Sequence, residues 1–278
     1  MQTPSARELA RNPLLRRLAD GGLAASLIVR LCDGPEIGRI AATAGFDALY
    51  VDLEHSSLPL LSASRICNAA RDAGVTPLAR VPAIDAALIG RVLDGGAMGI
   101  IAPQVESAED AARAVACCRY PPRGQRSVAG GQPALHYRDY PQGEAQQALD
   151  DGVLVAAMME SAAALEAAES IAAVEGLDML FIGAHDLGAA LGVPGQWDHP
   201  LLRSALARIR RACLDAGKAL GLGGLAGQPE LLRELAAGPG GCFISMGTDL
   251  SCLLGAATQR AAFAHALRQD QASCPPRA

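Results

Sequence analysis

The sequence predicts an α/β protein built as a (β/α)₈ TIM barrel with a helical leader, and three observations support this prediction. Short apolar runs alternate with segments of helical periodicity eight times along the chain. A single α/β barrel typically uses about 200 to 250 residues, and the chain has 278 with no evident linker. It is 50% hydrophobic but only 3% aromatic, which suits helices packed on a parallel sheet. A doubly wound open sheet is the alternative, but no glycine fingerprint follows the first apolar run.

Residues 1–22 are expected to form the leader and to close the bottom of the fold. Ser5 and Glu8 have the spacing of a capping box, and Asn12-Pro13 favours the start of a second helix that ends at Gly21-Gly22. Charges interrupt the apolar residues of this segment, so it does not resemble a signal peptide. We therefore expect a cytoplasmic protein.

Residues 23–268 are assigned to the catalytic barrel, and the polar tail 269–278 is expected to be flexible. The predicted strands are residues 24–29, 48–52, 76–80, 99–103, 153–159, 179–183, 219–225 and 242–246. The predicted helices include residues 60–73, 86–93, 107–118, 162–173, 201–216, 229–236 and 250–267.

One connection, residues 120–150, has no clear periodicity. Loops of this length are often functional lids. Arg123 and Arg126 lie among its proline and glycine residues, so it would either close over an anionic substrate or form a surface or subunit-contact loop.

The composition favours a small-molecule partner. The net charge is −5 with both signs interspersed, which predicts no nucleic-acid patch and no polybasic membrane anchor. No apolar run reaches the roughly 18 residues of a membrane span. The eight cysteines have no metal-ligand spacing, so we expect them to be reduced and mostly in the core.

Polar side chains follow four of the predicted strands. In a (β/α)₈ barrel the carboxyl ends of the strands converge at the catalytic face, where unpaired charges would be costly to bury. Any one of them alone has an ordinary explanation as a helix cap or a surface charge. The set consists of Asp52, Glu54, His55, Arg80, Glu160 and Asp186.

These residue types permit enolate chemistry. Glu160 and Asp186 can share a divalent metal cation, Mg²⁺ or Mn²⁺, which would chelate a 2-oxo acid and stabilise its enolate. Arg80 would add positive charge near the same oxygen or near the carbonyl of the second substrate. His55, oriented by Asp52, would move a proton directly or through metal-bound water. The predicted reaction is carbon–carbon bond formation or cleavage.

Other catalytic strategies fit less well. A Schiff base needs a lysine at the catalytic face, but Lys218 precedes the seventh strand at the opposite end. The histidines have no zinc-ligand spacing. Glu54 either hydrogen-bonds the catalytic water or acts as a structural partner, and His185 either lines the pocket or points away.

Several stretches, among them FDALYVDLEHSSL, LARVPAID and VEGLDMLFIGAHDLG, resemble the HpcH/HpaI family of metal-dependent pyruvate aldolases from about residue 23 to residue 267. The resemblance implies that Glu160 and Asp186 bind the metal, that Arg80 stabilises the enolate, and that His55 and Asp52 form an acid–base dyad. It also implies a last helix swapped between the subunits of a dimer, and a homo-oligomer that commonly reaches a hexamer.

The resemblance further implies that the backbone of Gly183, Ala184, His185 and Asp186 binds the substrate carboxylate at a helix start. The chain departs from the family pattern at Met158, which replaces a glutamine expected to contact the oxo acid, and at Ala184-His185, which replaces Pro-Ala. These departures put the usual aldehyde acceptor in question.

The predicted function is therefore a class II aldolase acting through a pyruvate or oxaloacetate-derived enolate. Its partners would be a small 2-oxo acid and an electrophile, either an aldehyde or an acyl-CoA. The alternative is an enolate-condensing synthase similar to a siderophore-pathway citrate synthase or to macrophomate synthase. A third possibility is a non-catalytic barrel used for binding or assembly.

Overall fold

Eight parallel strands close into a barrel in chain order in the computed structural model, which describes residues 3–273. This confirms the predicted (β/α)₈ architecture. The strands are β1 (Leu23–Val29), β2 (Ala48–Asp52), β3 (Thr76–Arg80), β4 (Gly99–Ala102), β5 (Leu154–Met159), β6 (Met179–Gly183), β7 (Ala219–Gly223) and β8 (Cys242–Thr248).

Thirteen α-helices are present in the described part of the chain, and most of them connect successive strands. They are α1 (Ala6–Leu9), α2 (Pro13–Ala19), α3 (Glu36–Ala44), α4 (Leu60–Asp72), α5 (Ala86–Asp94), α6 (Ala108–Cys118), α7 (Gln142–Gly152), α8 (Ala162–Glu166), α9 (Ala168–Ala172), α10 (Ala184–Ala190), α11 (Pro200–Asp215), α12 (Pro229–Ala236) and α13 (Asp249–Ser273). The single helix predicted for residues 162–173 is divided into α8 and α9.

The leader packs against the N-terminal ends of the strands. The predicted capping box of Ser5 and Glu8 is present, and the Asn12 side chain caps α2. The same Asn12 amide also donates to the carbonyl oxygens of Met98 and Gly152, just before β4 and β5. Leu14 and Leu18 join the apolar cluster inside the barrel. The leader thus covers the end of the barrel opposite the predicted catalytic face.

An aromatic layer fills the middle of the barrel. The ring of Phe181 on β6 lies 6.2 Å from that of Tyr50 on β2 and 6.0 Å from that of Phe243 on β8. A Cβ atom on Gly221 would lie 2.5 Å from the Phe181 ring, so the close approach of β7 requires glycine there. This layer is a packed floor beneath the carboxyl ends of the strands.

The connection 120–150 differs from its prediction in structure and in position. Its last part is α7, which the sequence pattern missed because Pro141 provides no side-chain cap and few apolar residues mark the buried face. The connection follows α6, so it lies at the N-terminal end of the barrel, where the Tyr140 hydroxyl donates to the Pro4 carbonyl. Arg126 is buried and pairs with Asp94 at 2.7 Å. The lid interpretation is therefore wrong.

The last helix, α13, does not pack along its own barrel. It begins one residue before the predicted start and continues past residue 267 to Ser273, and residues 274–278 of the predicted tail lie outside the described residues. Its side chains are exposed from Leu250 to Arg268, including Phe263 at 68%. The described helices include none that is both long and apolar enough to span a membrane.

Candidate active site

A cavity of about 420 Å³ opens at the carboxyl ends of the strands. Tyr50 and Phe181 of the aromatic layer form part of its floor. Lys218 lies at the other end of the barrel, where its Nζ donates to the carbonyl oxygens of Val174 and Leu177. The predicted site residues that line the cavity are His55, Arg80, Met158, Gly183, Ala184, His185 and Asp186.

One side of the cavity is a network of two arginines around a fully buried carboxylate. Asp52, the last residue of β2, accepts hydrogen bonds from Arg80 Nε at 2.9 Å and Arg80 Nη2 at 2.6 Å. Arg30, which follows β1, donates to the same carboxylate from Nε at 2.5 Å. Burial would raise the pKa of Asp52, but the hydrogen bonds and charge of Arg80, with further help from Arg30, lower that pKa overall.

The predicted dyad of Asp52 and His55 is not formed. Asp52 accepts a hydrogen bond from the backbone N–H of His55 at 3.2 Å. The His55 imidazole is 54% exposed and does not contact the Asp52 carboxylate. The cause is local: the two guanidinium groups and the turn after β2 already occupy both carboxylate oxygens. His55 Nε2 instead lies 3.8 Å from Glu54 Oε2, and Glu54 Oε2 lies 3.2 Å from Arg80 Nη1. Glu54, and not Asp52, is therefore the carboxylate beside the imidazole.

Two carboxylates without a salt-bridge partner among the described residues follow β5 and β6. Asp186 lines the cavity, whereas Glu160 lies just outside its lining. Glu160, just after β5, accepts from the backbone N–H of Gln104 at 2.7 Å. Gln104 has a φ of 52°, an unusual value for a residue with a side chain and one often found at functional sites. Burial raises the pKa of Glu160, and the negative charges of Glu54 and Asp186 raise it further. Deprotonated carboxylates at this position therefore repel one another.

These residues fit a hard divalent cation. Glu160 and Asp186 offer only oxygen ligands, which suit Mg²⁺ or Mn²⁺. A Cβ on Gly183 would lie 3.1 Å from Glu160 Oε2, so glycine keeps this space beside the carboxylate open. Between residues 3 and 273, no group of three or more His, Cys, Asp or Glu side chains forms a complete metal site. A cation here would take its other ligands from water or substrate.

His185 and Met158 lie at the border of the two sides. The His185 ring packs edge-on against Trp197, with 5.2 Å between ring centroids, and a Cβ on Gly224, whose φ is +80°, would lie 2.7 Å from that ring. His185 therefore lines the cavity. Met158 is buried, and its sulfur lies 3.9 Å from Arg80 Nη1.

Sequence reasoning missed the part of the cavity formed by β1 and β8. Arg30 lines it, together with the hydroxyl-bearing residues Ser245, Thr248 and Ser251. The signal for Arg30 was the same as for Arg80, a basic residue at the end of an apolar run. Asp249 fixes this region, since its carboxylate accepts from the backbone N–H groups that follow β1, including that of Arg30 at 3.0 Å.

A parallel eight-stranded barrel with Arg30, Arg80 and Asp186 around a cavity at its C-terminal end has the architecture of a (β/α)₈-barrel enzyme. The chain belongs to the HpcH/HpaI aldolase/citrate lyase family, whose model matches residues 31–256. The resemblance seen in the sequence is thereby confirmed.

Individual relatives agree with this assignment. The chain is 42% identical over 224 residues to a 4-hydroxy-4-methyl-2-oxoglutarate aldolase of Chaetomium globosum, covering 79% of this chain and 82% of the relative. An HpcH/HpaI aldolase from Desulfitobacterium hafniense superimposes with a TM-score of 0.80 at 29% identity, covering 95% and 98% of the two chains. The citrate synthase SbnG superimposes with a TM-score of 0.78 at 27% identity, covering 93% and 98%. The prediction of an aldolase is confirmed.

Proposed function

We propose that the protein is a divalent-metal-dependent aldolase that cleaves 4-hydroxy-2-oxo acids to the enolate of pyruvate and a carbonyl product. The observation that carries the proposal is the placement of Glu160 and Asp186 at the same end of the barrel as Arg80. Glu160 and Asp186 would hold Mg²⁺ or Mn²⁺, and such a cation, when bound, supplies Lewis-acid stabilisation of the 2-oxo oxygen.

The protein residues account for the remaining charge and proton movements. His55, beside Glu54, takes the proton of the C4 hydroxyl as the C3–C4 bond breaks. The electrons of that bond form the enolate between C3 and C2, while C4 becomes the new carbonyl. Arg80 stabilises the negative charge on the enolate oxygen, and a proton then adds to C3 to give pyruvate. The backbone of residues 183–186 remains the predicted position of the substrate carboxylate.

The similarity to the Chaetomium globosum enzyme supports a substrate that carries a second carboxylate on C4. Cleavage of such a compound releases two 2-oxo acids. We infer the same substrate class for this protein, so that the acceptor in the reverse, condensing direction is itself a 2-oxo acid and not a simple aldehyde.

Two assays on the purified protein test the proposal. In D₂O with Mg²⁺ or Mn²⁺, we expect exchange of the methyl protons of pyruvate, measured by NMR. We also expect release of pyruvate from 4-hydroxy-4-methyl-2-oxoglutarate, and chelation by EDTA should abolish both activities until metal is returned. A metal-loaded, folded protein without either activity would contradict the proposal.

The similarity to SbnG favours one alternative, condensation of an oxaloacetate-derived enolate with an acyl-CoA. Met158, where the family pattern has a polar residue, is compatible with a changed electrophile. Thiol-specific detection of free CoA, in the presence of oxaloacetate and acetyl-CoA, separates the two functions. Release of CoA at a rate above that of aldol cleavage would favour the synthase.

We also propose that the protein is a homo-oligomer in which α13 packs on a second copy of the chain. Leu253 and Phe263 are 60% and 68% exposed on a helix whose main contacts with its own barrel are with β1 and β8. Exposed apolar area of this kind marks an interaction surface. Light scattering after gel filtration should give a dimer or a multiple of it, and a stable monomer at micromolar concentration would contradict this assembly.

A further inference from the structure

We infer that Arg30 is the specificity residue for the acceptor half of the substrate, and that its guanidinium binds the carboxylate on C4. This inference rests on the proposed aldolase function, because it concerns the second partner of the same reaction. Arg30 lines the cavity, and its side chain is 35% exposed.

In the described part of the chain, both terminal nitrogens of the Arg30 guanidinium are free of protein acceptors, whereas every guanidinium nitrogen of Arg80 contacts a neighbouring side chain. Arg80 uses Nε and Nη2 on Asp52, and its Nη1 lies 3.2 Å from Glu54. Arg30 donates to Asp52 only through Nε. Within residues 3–273, neither Nη1 nor Nη2 of Arg30 has a hydrogen-bonded protein acceptor. Its outer edge therefore presents two parallel N–H groups, the geometry that binds a carboxylate with two hydrogen bonds.

The local charge also favours an anion at Arg30. Asp52 is already paired with Arg80 through two hydrogen bonds, so its single negative charge cannot neutralise both arginines. Glu54 contacts Arg80 and His55 but forms no salt bridge with Arg30. Among the described residues, Arg30 therefore has only the shared Asp52 as a salt-bridge partner, and the edge of its guanidinium that faces the cavity has no anionic partner.

The topology places Arg30 where the acceptor must lie. In a closed barrel of eight strands, β1 is opposite β5, so Arg30, just after β1, and Glu160, just after β5, belong to opposite parts of the barrel rim. The enolate half of the substrate belongs beside Glu160, Asp186 and Arg80. The other half extends across the cavity to the wall of β1 and β8, where the hydroxyl groups of Thr248 and Ser251 accompany the guanidinium.

The orientation of Arg30 is fixed from two directions. Its Nε is held by Asp52, and its backbone N–H donates to Asp249 Oδ1 at 3.0 Å. Such anchoring reduces the entropy lost when a substrate carboxylate binds.

Two matched substrates test the inference. They are 4-hydroxy-4-methyl-2-oxoglutarate and 4-hydroxy-4-methyl-2-oxopentanoate, in which a methyl group replaces the C4 carboxylate. For Arg30→Gln we expect kcat/KM for the dicarboxylate to fall about 10- to 100-fold more than kcat/KM for the monocarboxylate, mainly through KM, as two charge-assisted hydrogen bonds are lost. The loss of kcat/KM for the dicarboxylate should also exceed any loss in the rate of pyruvate methyl-proton exchange by about 10- to 100-fold. Arg30→Lys should give an intermediate preference, because it keeps the charge without the planar pair of donors.

Arg16→Gln, the same substitution at an exposed arginine of the leader, is the matched control and should not change the preference. An equal loss on both substrates and in proton exchange would overturn the inference, because Arg30 would then only position Asp52 and Arg80. The inference would also be overturned if Arg30→Gln and Arg30→Lys both kept the wild-type preference for the dicarboxylate over the monocarboxylate. Failure of the proposed function looks different, since the wild-type protein would then neither cleave the substrates nor exchange the protons.

Discussion

The two sides of the cavity are stabilised in different ways. On the side of β1 to β3, Asp52 accepts three hydrogen bonds from Arg30 and Arg80, so charges of opposite sign are already paired. On the side of β5 and β6, burial and the negative charges of Glu54 and Asp186 raise the pKa of Glu160. The carboxylate of the first side is paired within the protein, whereas the proposed cation would pair the carboxylates of the second side.

Under the proposed function, one end of the barrel would combine a preformed partner for the enolate oxygen with a cation site whose stability depends on its ligand. Substitutions on the two sides should therefore change stability in opposite directions while both reduce activity. Such a trade-off is expected where residues are kept for function at the expense of stability.

The largest expected effect is on the acidic side. Glu160→Gln and Asp186→Asn should each lower metal-dependent cleavage by on the order of 10³-fold or more, because several kcal/mol of transition-state stabilisation are lost with the cation. Without metal, the melting temperature of either variant should equal or exceed that of the wild type, because like charges no longer repel. Added Mn²⁺ should raise the melting temperature of the wild type only.

Glu166→Gln, at an exposed position of the following helix, is the matched control and should behave like the wild type in both measurements. Retained Mn²⁺ stabilisation in Glu160→Gln would remove that residue from the proposed metal site.

On the basic side, Asp52→Asn should lower activity and stability together. It removes the carboxylate that Arg80 and Arg30 share and leaves Glu54 as the remaining charged partner of the buried Arg80, which costs about 3 kcal/mol. Activity should fall about 10²- to 10³-fold, because Arg80 would lose the orientation that its proposed role at the enolate oxygen requires. Chemical denaturation and pyruvate proton exchange measure the two effects, and Asp72→Asn on the surface is the control.

The pH dependence of stability has a definite sign for Asp52. Burial opposes ionisation, but Arg80 and Arg30 bring the folded-state pKa below the ordinary value. Its stabilising contribution is therefore complete above the unfolded pKa of about 3.9 and is lost as the pH falls through the lower, folded pKa. In Asp52→Asn, the free energy of unfolding should fall less steeply at acid pH than in the wild type. An unchanged pH dependence would contradict the stabilising role assigned to the Asp52 carboxylate.

The smallest expected loss belongs to His55, which lies between the two sides. Its imidazole is 54% exposed, so His55→Gln should leave the melting temperature within error. The rate of cleavage should fall about 10²-fold. This is the lower end of the range for loss of a general acid–base group, because water can partly replace an exposed imidazole. His136→Gln at the other end of the barrel is the control. A loss smaller than threefold would assign the proton transfer to another group.

Much of the fold and site could be predicted because strand ends follow directly from apolar runs. The ends of β2, β3 and β6 were predicted to the residue, which fixed Asp52, Arg80 and Asp186 at one face. The chemistry of carboxylates and arginine at that face then predicted an aldolase.

The remaining details depend on partners that are distant in sequence. Arg30 and Asp52 are 22 residues apart, and only the folded barrel shows that their contact diverts Asp52 from the His55 imidazole. In α7, the helical pattern was obscured because its buried face includes Asp150 and Gly152 in addition to Ala148 and Leu149. Helix α6 ends at the N-terminal end of the barrel, so the loop that follows it holds Arg126 far from the cavity. The composition of that loop does not reveal this position.

The aromatic layer limits how this barrel can acquire new substrates. Tyr50, Phe181 and Phe243 occupy the interior beneath the cavity, and Gly221 leaves no room for Phe181 to move toward β7. A longer substrate cannot be accommodated by deepening the site, since that would remove core packing. Changes in substrate length must come from residues above this layer, such as those after β1, β7 and β8. Divergence of substrate specificity in this protein is thus expected at the rim of the barrel.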